Sequence, residues 1–141
     1  MLKVRDFVQA DREIVSAIYV DSRKFGFPFL EASEFKNEDF ERDTEGEVIL
    51  VAEFQDKIVG FASYVEEKSF LHNLYLDPEE TRKGFGQAFF HKIIERTGGS
   101  LSLKCVVKNS RALAFYQKLG MAITDEGKTD AGKHYILEYS A

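Results

Sequence analysis

The stretch LYLDPEETRKGFGQAFF, residues 74–90, decides the fold because it carries a strand pattern through a turn into a helix pattern. Pro78 ends the strand, since proline cannot donate a hydrogen bond to a β-ladder. Beyond Gly84, apolar side chains recur at the spacing of an amphipathic helix: Phe85, Phe89, Phe90, Ile93 and Ile94. A strand that leads through a turn into a helix presents unpaired backbone N–H groups at the positive end of a helix dipole. This geometry favours an anion.

The residues of this turn are suited to a phosphate. Gly84 and Gly86 lack a Cβ, so the backbone can approach an anion closely. Arg82 and Lys83 can add charge-assisted hydrogen bonds. The alternative is that Gly-x-Gly before a helix is only a tight turn, and this stretch alone leaves both interpretations open.

The rest of the chain predicts a mixed α/β fold. Alternation and helical spacing indicate strand, helix, short helix, three strands, helix, strand, helix and two strands. The first helix is expected from an Asp11 cap to about Val20, the short helix around Ser33–Phe40, and the last helix from an Asn109 cap. We expect one domain, residues 1–141, with a mostly antiparallel twisted sheet of about seven strands and helices on both faces.

Composition excludes several classes of protein. The 141 residues include 19 basic and 24 acidic side chains, so the net charge of −5 disfavours a general nucleic-acid binder. Cys105 is the only cysteine, which rules out an internal disulfide or a Cys-rich metal site and agrees with a cytoplasmic protein. No apolar run is long enough for a membrane span. We expect no metal.

Three phosphate-binding motifs compete for the turn. A P-loop would need Gly-x-x-x-x-Gly-Lys followed by Ser or Thr, and the sequence has no such run. A dinucleotide fingerprint would need a third glycine at Phe89, where a phenylalanine obstructs the packing of helix on strand. The third motif is an acyl-CoA loop.

Two separate segments resemble the signatures of the GNAT superfamily of N-acetyltransferases. The stretch at residues 74–90 resembles the first signature, a strand followed by Gln/Arg-x-x-Gly-x-Gly/Ala at a helix start. The stretch NSRALAFYQKLGM, residues 109–121, resembles the second. The expected element order also resembles this family over nearly the whole chain. Thr81 departs from the pattern, because the family usually has Gln or Arg there.

The resemblance implies that acetyl-CoA is the acetyl donor. The pyrophosphate would lie on backbone N–H groups from about Arg82 to Gln87, and the pantetheine arm would pair with the strand near Leu74 and Leu76. The Leu76 N–H would stabilise the oxyanion where this strand separates from the strand at residues 101–107. The implied cofactor-binding residues are Leu74, Tyr75, Leu76, Thr81, Arg82, Lys83, Gly84, Phe85, Gly86, Gln87, Asn109, Ala112 and Tyr116.

The same resemblance suggests catalytic residues. Tyr116 matches the acid that protonates the sulfur of CoA, although a tyrosine packed on the core is the alternative. His72 is the candidate base, as in aralkylamine acetyltransferases, or is a polar residue on the other face of its strand. Phe70 stands where histone-modifying relatives carry a glutamate. Asn109 is explained by helix capping alone.

These features lead to two functional hypotheses. The first is an N-acetyltransferase that acetylates a primary amine of a small molecule or peptide by direct attack in a ternary complex. The second is a non-catalytic sensor of acyl-CoA, suggested by Thr81 and the missing glutamate. The phenylalanines and acids of the variable region from Phe25 to Asp43 could line a slot that draws in an amine. For any one of these residues we favour the alternative, in which the phenylalanines cap the core and the acids face water. A homodimer is possible.

Overall fold

A computed structural model of the protein describes residues 2–26, 36, 38–77, 84–130 and 132–140. The strands are β1 (Lys3–Asp6), β2 (Val48–Phe54), β3 (Lys57–Val65), β4 (Phe70–Leu76), β5 (Ser100–Val106), β6 (Ala122–Thr129) and β7 (Gly132–Ser140). The helices are α1 (Arg12–Gly26), α2 (Asp39–Thr44), α3 (Phe85–Arg96) and α4 (Ser110–Lys118). None of the helices in these described segments is both long and apolar enough to cross a membrane.

All seven strands belong to one sheet, in the order β1-β2-β3-β4-β5-β7-β6. Every neighbouring pair is antiparallel except β4 and β5, which are parallel. Parallel neighbours require a crossover connection, and α3 lies in that connection. The predicted mixed, mostly antiparallel sheet of seven strands is therefore confirmed.

The predicted hairpin of the second and third strands is also present. Gln55 and Asp56 form its two-residue turn, with φ angles of 54° and 63°. Positive φ at both central residues matches the twist of the flanking strands, which favours this kind of turn in hairpins.

Two helix boundaries differ from the prediction. Asp11 lies in a 3₁₀ turn (Gln9–Asp11) before α1, and its carboxylate accepts hydrogen bonds from the Val8 backbone N–H and from Arg5. The first helix continues to Gly26 instead of ending near Val20, because no helix breaker occurs before that glycine. The short helix α2 runs from Asp39 to Thr44, past the predicted end at Phe40; the predicted start near Ser33 lies outside the described residues.

The core has two layers, one on each face of the sheet. The α3/α4 layer is apolar, and its buried residues include Phe85, Phe89, Phe90, Ile93, Ile94, Leu101, Leu103 and Met121. The α1/α2 layer has a smaller apolar cluster of Val15, Ile18, Tyr19, Phe40, Val51 and Phe61. Its surroundings also hold the buried polar residues of the described chain, which are Asp11, Ser16, Ser22, Arg23, Asp39, Thr44, Ser63 and Asn73.

Candidate active site

The central feature of the site is a gap between β4 and β5. The two strands pair only at Phe70 with Ser102 and at Leu71 with Leu103. On its other side, β4 stays registered with β3 from Phe70 to Leu76. The sheet therefore opens on one side of β4 only, at the place where the family resemblance leads us to expect an opening.

The register of β3 and β4 shows which backbone groups face the gap. The Asp77 N–H donates to the Val59 carbonyl at 2.8 Å. Hydrogen-bonded pairs alternate along an antiparallel ladder, so Tyr75 bonds to β3 whereas Leu74 and Leu76 direct their backbone groups toward β5. The Leu76 carbonyl accepts a hydrogen bond from the Ser22 hydroxyl at 2.7 Å. The Leu76 N–H and both backbone groups of Leu74 are thus directed toward the gap.

The start of α3 lies beside the end of β4. Gly84 caps the helix with φ of 79°, a left-handed conformation that favours glycine. A Cβ on Gly86 would lie 3.0 Å from the Phe115 ring of α4 and 3.5 Å from Leu76 Cδ1. Close packing against α4 is therefore as good a reason for a glycine at position 86 as the approach of a phosphate. The first N–H groups of α3 have no partner within the helix, as an anion site requires.

Helix α4 carries Tyr116 on the other side of this contact. Asn109 caps the helix, and its Oδ1 accepts a hydrogen bond from the Ala112 N–H at 3.3 Å. Tyr116 lies partly buried against the α3/α4 core, with its ring 6.5 Å from the ring of Phe90. Burial, then interactions with Tyr75 and Cys105, raise the pKa of Tyr116. The phenol therefore keeps its proton at neutral pH.

Tyr75 lies in the opposite layer, with its ring 5.3 Å from Tyr19 and 5.9 Å from Phe61. Burial raises its pKa to about 12. Cys105 on β5 interacts with both tyrosines, and its thiol is buried with a pKa raised to about 11 by that burial. A buried thiol of this kind is a poor nucleophile.

His72 occupies the bulge of β4. The register places Asn73 opposite Ser63 and Leu71 opposite Tyr64, so His72 is the extra residue between them. It also directly follows Leu71, the last residue of β4 that pairs with β5. His72 Nδ1 lies 2.8 Å from Glu47 Oε2. Glu47 belongs to the connection between α2 and β2. The bulge thus brings an imidazole to the point where the sheet opens.

A polar cluster surrounds this point on the α1/α2 side. Asp43 accepts hydrogen bonds from the Tyr19 hydroxyl and from Arg42. Burial would raise the pKa of Asp43, but these two hydrogen bonds outweigh burial and lower it. Asn73 donates to Ser63 Oγ at 2.8 Å and to the Asp43 carbonyl at 3.4 Å. The α1/α2 side of the gap therefore offers fixed acceptors that suit an ammonium group.

Of the predicted site residues, the structure brings together Leu74, Leu76, Gly84 to Gln87 and Tyr116 around the gap and the start of α3. Thr81, Arg82 and Lys83 lie outside the described residues. Most of the acidic and aromatic region, Phe25 to Asp43, also lies outside the described residues. Within its described part, Asp39 is buried and paired with Arg23. No cluster of three or more His, Cys, Asp or Glu side chains in the described segments could hold a metal ion.

Sequence reasoning missed Glu47 and the pair of Tyr19 and Asp43. Glu47 opens a strand and looks like an ordinary charged residue at the end of a turn. Its partner lies 25 residues further along the chain. No local pattern predicts such a contact, since it depends on how β2 and β4 are placed in the sheet.

Comparison with known proteins identifies relatives of this fold. The model of the acetyltransferase (GNAT) family matches residues 13–121, more than three-quarters of the chain. No curated protein matches. Among solved structures, a GCN5-related N-acetyltransferase from Rhodopseudomonas palustris is 18% identical with a TM-score of 0.81, covering 99% of this chain and 95% of its own.

Two further structures contain a coenzyme. The PaiA N-acetyltransferase from Thermoplasma acidophilum, in complex with coenzyme A, is 21% identical with a TM-score of 0.77, covering 100% of this chain and 99% of its own. The putative acetyltransferase yncA from Salmonella typhimurium, with acetyl-CoA, is 16% identical with a TM-score of 0.69, covering 99% and 94%. At these identities the likeness concerns the fold.

Proposed function

Because this chain belongs to the acetyltransferase (GNAT) family, we propose that it transfers the acetyl group of acetyl-CoA to a primary amine by direct attack in a ternary complex. The observation that carries this proposal is the gap between β4 and β5, which opens beside the first turn of α3. A gap in a sheet offers backbone hydrogen bonds to an extended ligand, and a helix start offers them to a phosphate. Acetyl-CoA needs both.

The chain's own groups fit the two ends of this substrate. The N–H groups of Gly84 to Gln87 would bind the pyrophosphate, together with Thr81, Arg82 and Lys83. Leu74 and Leu76 would hold the pantetheine arm, with Asn109, Ala112 and Tyr116 on the α4 side. Tyr75, the third residue expected here, bonds to β3 and packs its ring against Tyr19, so we leave it out of the direct contacts. The coenzymes bound to PaiA and yncA support acetyl-CoA as the ligand.

His72 is the proposed base that receives a proton from the incoming ammonium group, directly or through a water molecule. The freed amine nitrogen attacks the thioester carbon, and the Leu76 N–H stabilises the oxyanion. The tetrahedral intermediate then breaks down: its C–S bond to CoA is cleaved, and the new C–N bond remains. Tyr116 gives its proton to the departing sulfur and recovers one from the amide nitrogen, while His72 releases its proton to solvent.

The experiment is a thiol-release assay with acetyl-CoA and a panel of primary amines, amino acids and peptides. We expect Tyr116→Phe to lower kcat by roughly 100-fold or more, since general acids contribute about that much. Tyr139→Phe removes the hydroxyl of a tyrosine that packs on the same core and serves as the matched control. Unchanged turnover in Tyr116→Phe would contradict the acid role.

The same assay separates the enzyme from the sensor. An acyl-CoA sensor would bind acetyl-CoA in a calorimetric titration and release no thiol with any amine of the panel. Thr81 motivates this second candidate, because a threonine hydroxyl carries no charge and reaches less far than the usual Gln or Arg.

We also propose a location and a domain organisation. A cytoplasmic location agrees with the single free cysteine, and one domain, residues 1–141, agrees with the single sheet. Whether two copies associate through the outer strand β6 stays a prediction that a sedimentation experiment would test.

A further inference from the structure

The pair formed by Glu47 and His72 has a feature that ordinary surface ion pairs lack. The Glu47 side chain is only 10% exposed, whereas that of His72 is 45% exposed. Glu47 Oε2 contacts His72 Nδ1, and Glu47 Oε1 is buried with no hydrogen-bond partner in the described part of the chain. Buried polar atoms without a partner are rare and costly, so this carboxylate calls for a role beyond surface pairing.

The contact determines which nitrogen of His72 can accept a proton. An ionised carboxylate is an acceptor only, so Nδ1 must carry the hydrogen that it shares with Glu47. In a neutral imidazole, Nε2 then holds the lone pair. Nδ1 is occupied by buried Glu47, whereas nearly half of the His72 side chain is exposed, so Nε2 is the nitrogen left to accept a proton from a ligand.

The position of the pair adds a second argument. His72 is the extra residue of the β4 bulge and the first residue beyond the last contact of β4 with β5. Without a hydrogen bond, a half-exposed histidine at a bulge would sample several rotamers. Glu47 lies in the connection from α2 to β2. Its backbone N–H donates to the Thr44 carbonyl at 3.0 Å, so a hydrogen-bonded turn holds the backbone that carries the carboxylate. The turn thus fixes Glu47, and Glu47 orients the His72 ring.

We propose that Glu47 is a positioning residue that holds His72 in the Nδ1–H tautomer, so that Nε2 accepts the proton of the acceptor ammonium. This inference rests on the proposed function and names a residue that neither the sequence patterns nor the family resemblance indicates. When Nε2 takes the proton, His72 becomes an imidazolium, and the adjacent carboxylate stabilises that charge. A carboxylate plays the same two parts beside the histidine of a serine-protease triad.

The substitution Glu47→Gln tests this role sharply. Glutamine keeps the shape, but its amide can donate to Nδ1 and so favour the Nε2–H tautomer, which cannot accept a proton at Nε2. Glu45→Gln is the matched control, because it removes one negative charge two residues away from an exposed position. His72→Gln assigns the signal among the three histidines of the chain.

The first readout is the tautomer of His72, measured by ¹⁵N NMR of histidine-labelled protein without any substrate. We expect Nδ1–H in the wild type and in Glu45→Gln, and a shift toward Nε2–H in Glu47→Gln. A wild-type His72 in the Nε2–H form would overturn the proposal even if Glu47→Gln failed to fold. So would a tautomer that does not change in a folded Glu47→Gln variant.

The second readout is kinetic, with an amine that the wild type acetylates. We expect kcat to fall by about 10-fold or more in Glu47→Gln, because losing the carboxylate beside a metal-bound histidine costs about 10- to 100-fold and the equivalent change in a serine-protease triad costs about 10⁴-fold. The KM for acetyl-CoA and the thermal midpoint should stay near the wild-type values. A kcat equal to that of Glu45→Gln would contradict the proposal. If no amine is acetylated, the proposed function fails, and the tautomer experiment still decides the role of Glu47.

Discussion

The two layers of the core differ in what they bury. Against α3 and α4 the described buried side chains are hydrocarbon, aromatic or thiol groups. Against α1 and α2 there are buried carboxylates, a buried guanidinium and an amide, each held by hydrogen bonds, as in the pair of Arg23 and Asp39 at 3.0 Å. Apolar packing needs no particular partner, whereas each polar group needs a specific one.

This difference indicates a division of roles around β4. The α3/α4 layer supports the first turn of α3 and Tyr116 by close apolar packing, without neighbouring charges. The α1/α2 layer fixes Asp43, Asn73 and Glu47 on the side of β4 that carries His72, the proposed base. Substitutions in the two layers should therefore fail in different ways.

The largest expected effect lies in the apolar layer. Phe89 is fully buried in α3, so Phe89→Ala removes a whole ring from the core. We expect the free energy of unfolding to fall by about 3–5 kcal/mol in a urea titration. Val8→Ala, at a side chain that is 54% exposed, should change it by less than about 0.5 kcal/mol. Similar losses in both variants would show that the α3/α4 layer is not close-packed.

A smaller and pH-dependent effect is expected in the polar layer. The Lys36 backbone N–H and the Arg23 guanidinium lower the pKa of Asp39 against the opposing effect of burial. Asp39→Asn should cost about 2 kcal/mol at pH 7, because Arg23 loses a buried charged partner. A lowered pKa stabilises the fold above the ordinary value of 3.8, and this contribution is lost as the pH falls through the folded-state pKa.

The pH profile of unfolding checks this assignment. The difference between wild type and Asp39→Asn should begin to shrink at about pH 4, where the carboxyl of the unfolded chain takes up its proton, and should be lost as the pH falls through the lower folded-state pKa. A difference that stays constant between pH 7 and pH 3 would mean that the charge of Asp39 contributes nothing.

The smallest effect concerns a polar group at the surface of the apolar layer. Asn109→Ala removes the cap of α4 and should cost about 1 kcal/mol. Asn109→Asp keeps a capping oxygen and should recover most of that loss. A fall in acetyl-CoA affinity in Asn109→Ala beyond the effect of the frayed helix would show a direct contact with the substrate.

Local patterns predicted most of the fold. The apolar spacing from Phe85 to Ile94 marked α3, and Asn109 marked the start of α4; both predictions are confirmed. The GNAT resemblance is confirmed by the family match. The end of α1 was predicted too early because its last turns carry polar side chains. Ser22 and Arg23 are nevertheless buried by contacts with distant parts of the chain.

The site was only partly predictable. The separation of β4 from β5 was expected from the resemblance, and the register supplies its position. Glu47 and Asp43 escaped prediction because their partners, His72 and Tyr19, lie 25 and 24 residues away along the chain. Contacts of this kind arise from the order of the strands, so a pattern within one segment carries no information about them.

The acetyl-CoA site is tested most directly by titrating ¹⁵N-labelled protein with acetyl-CoA and following the amide signals by NMR. We expect the Leu74, Leu76, Gly86 and Gln87 amides to shift, because they line the gap and the start of α3. Val51 and Ala52, between β1 and β3, should stay unchanged, and NADH should move none of these signals. Binding that leaves Leu74 and Leu76 unmoved, or no binding at all, would contradict the assignment of the gap as the acetyl-CoA site.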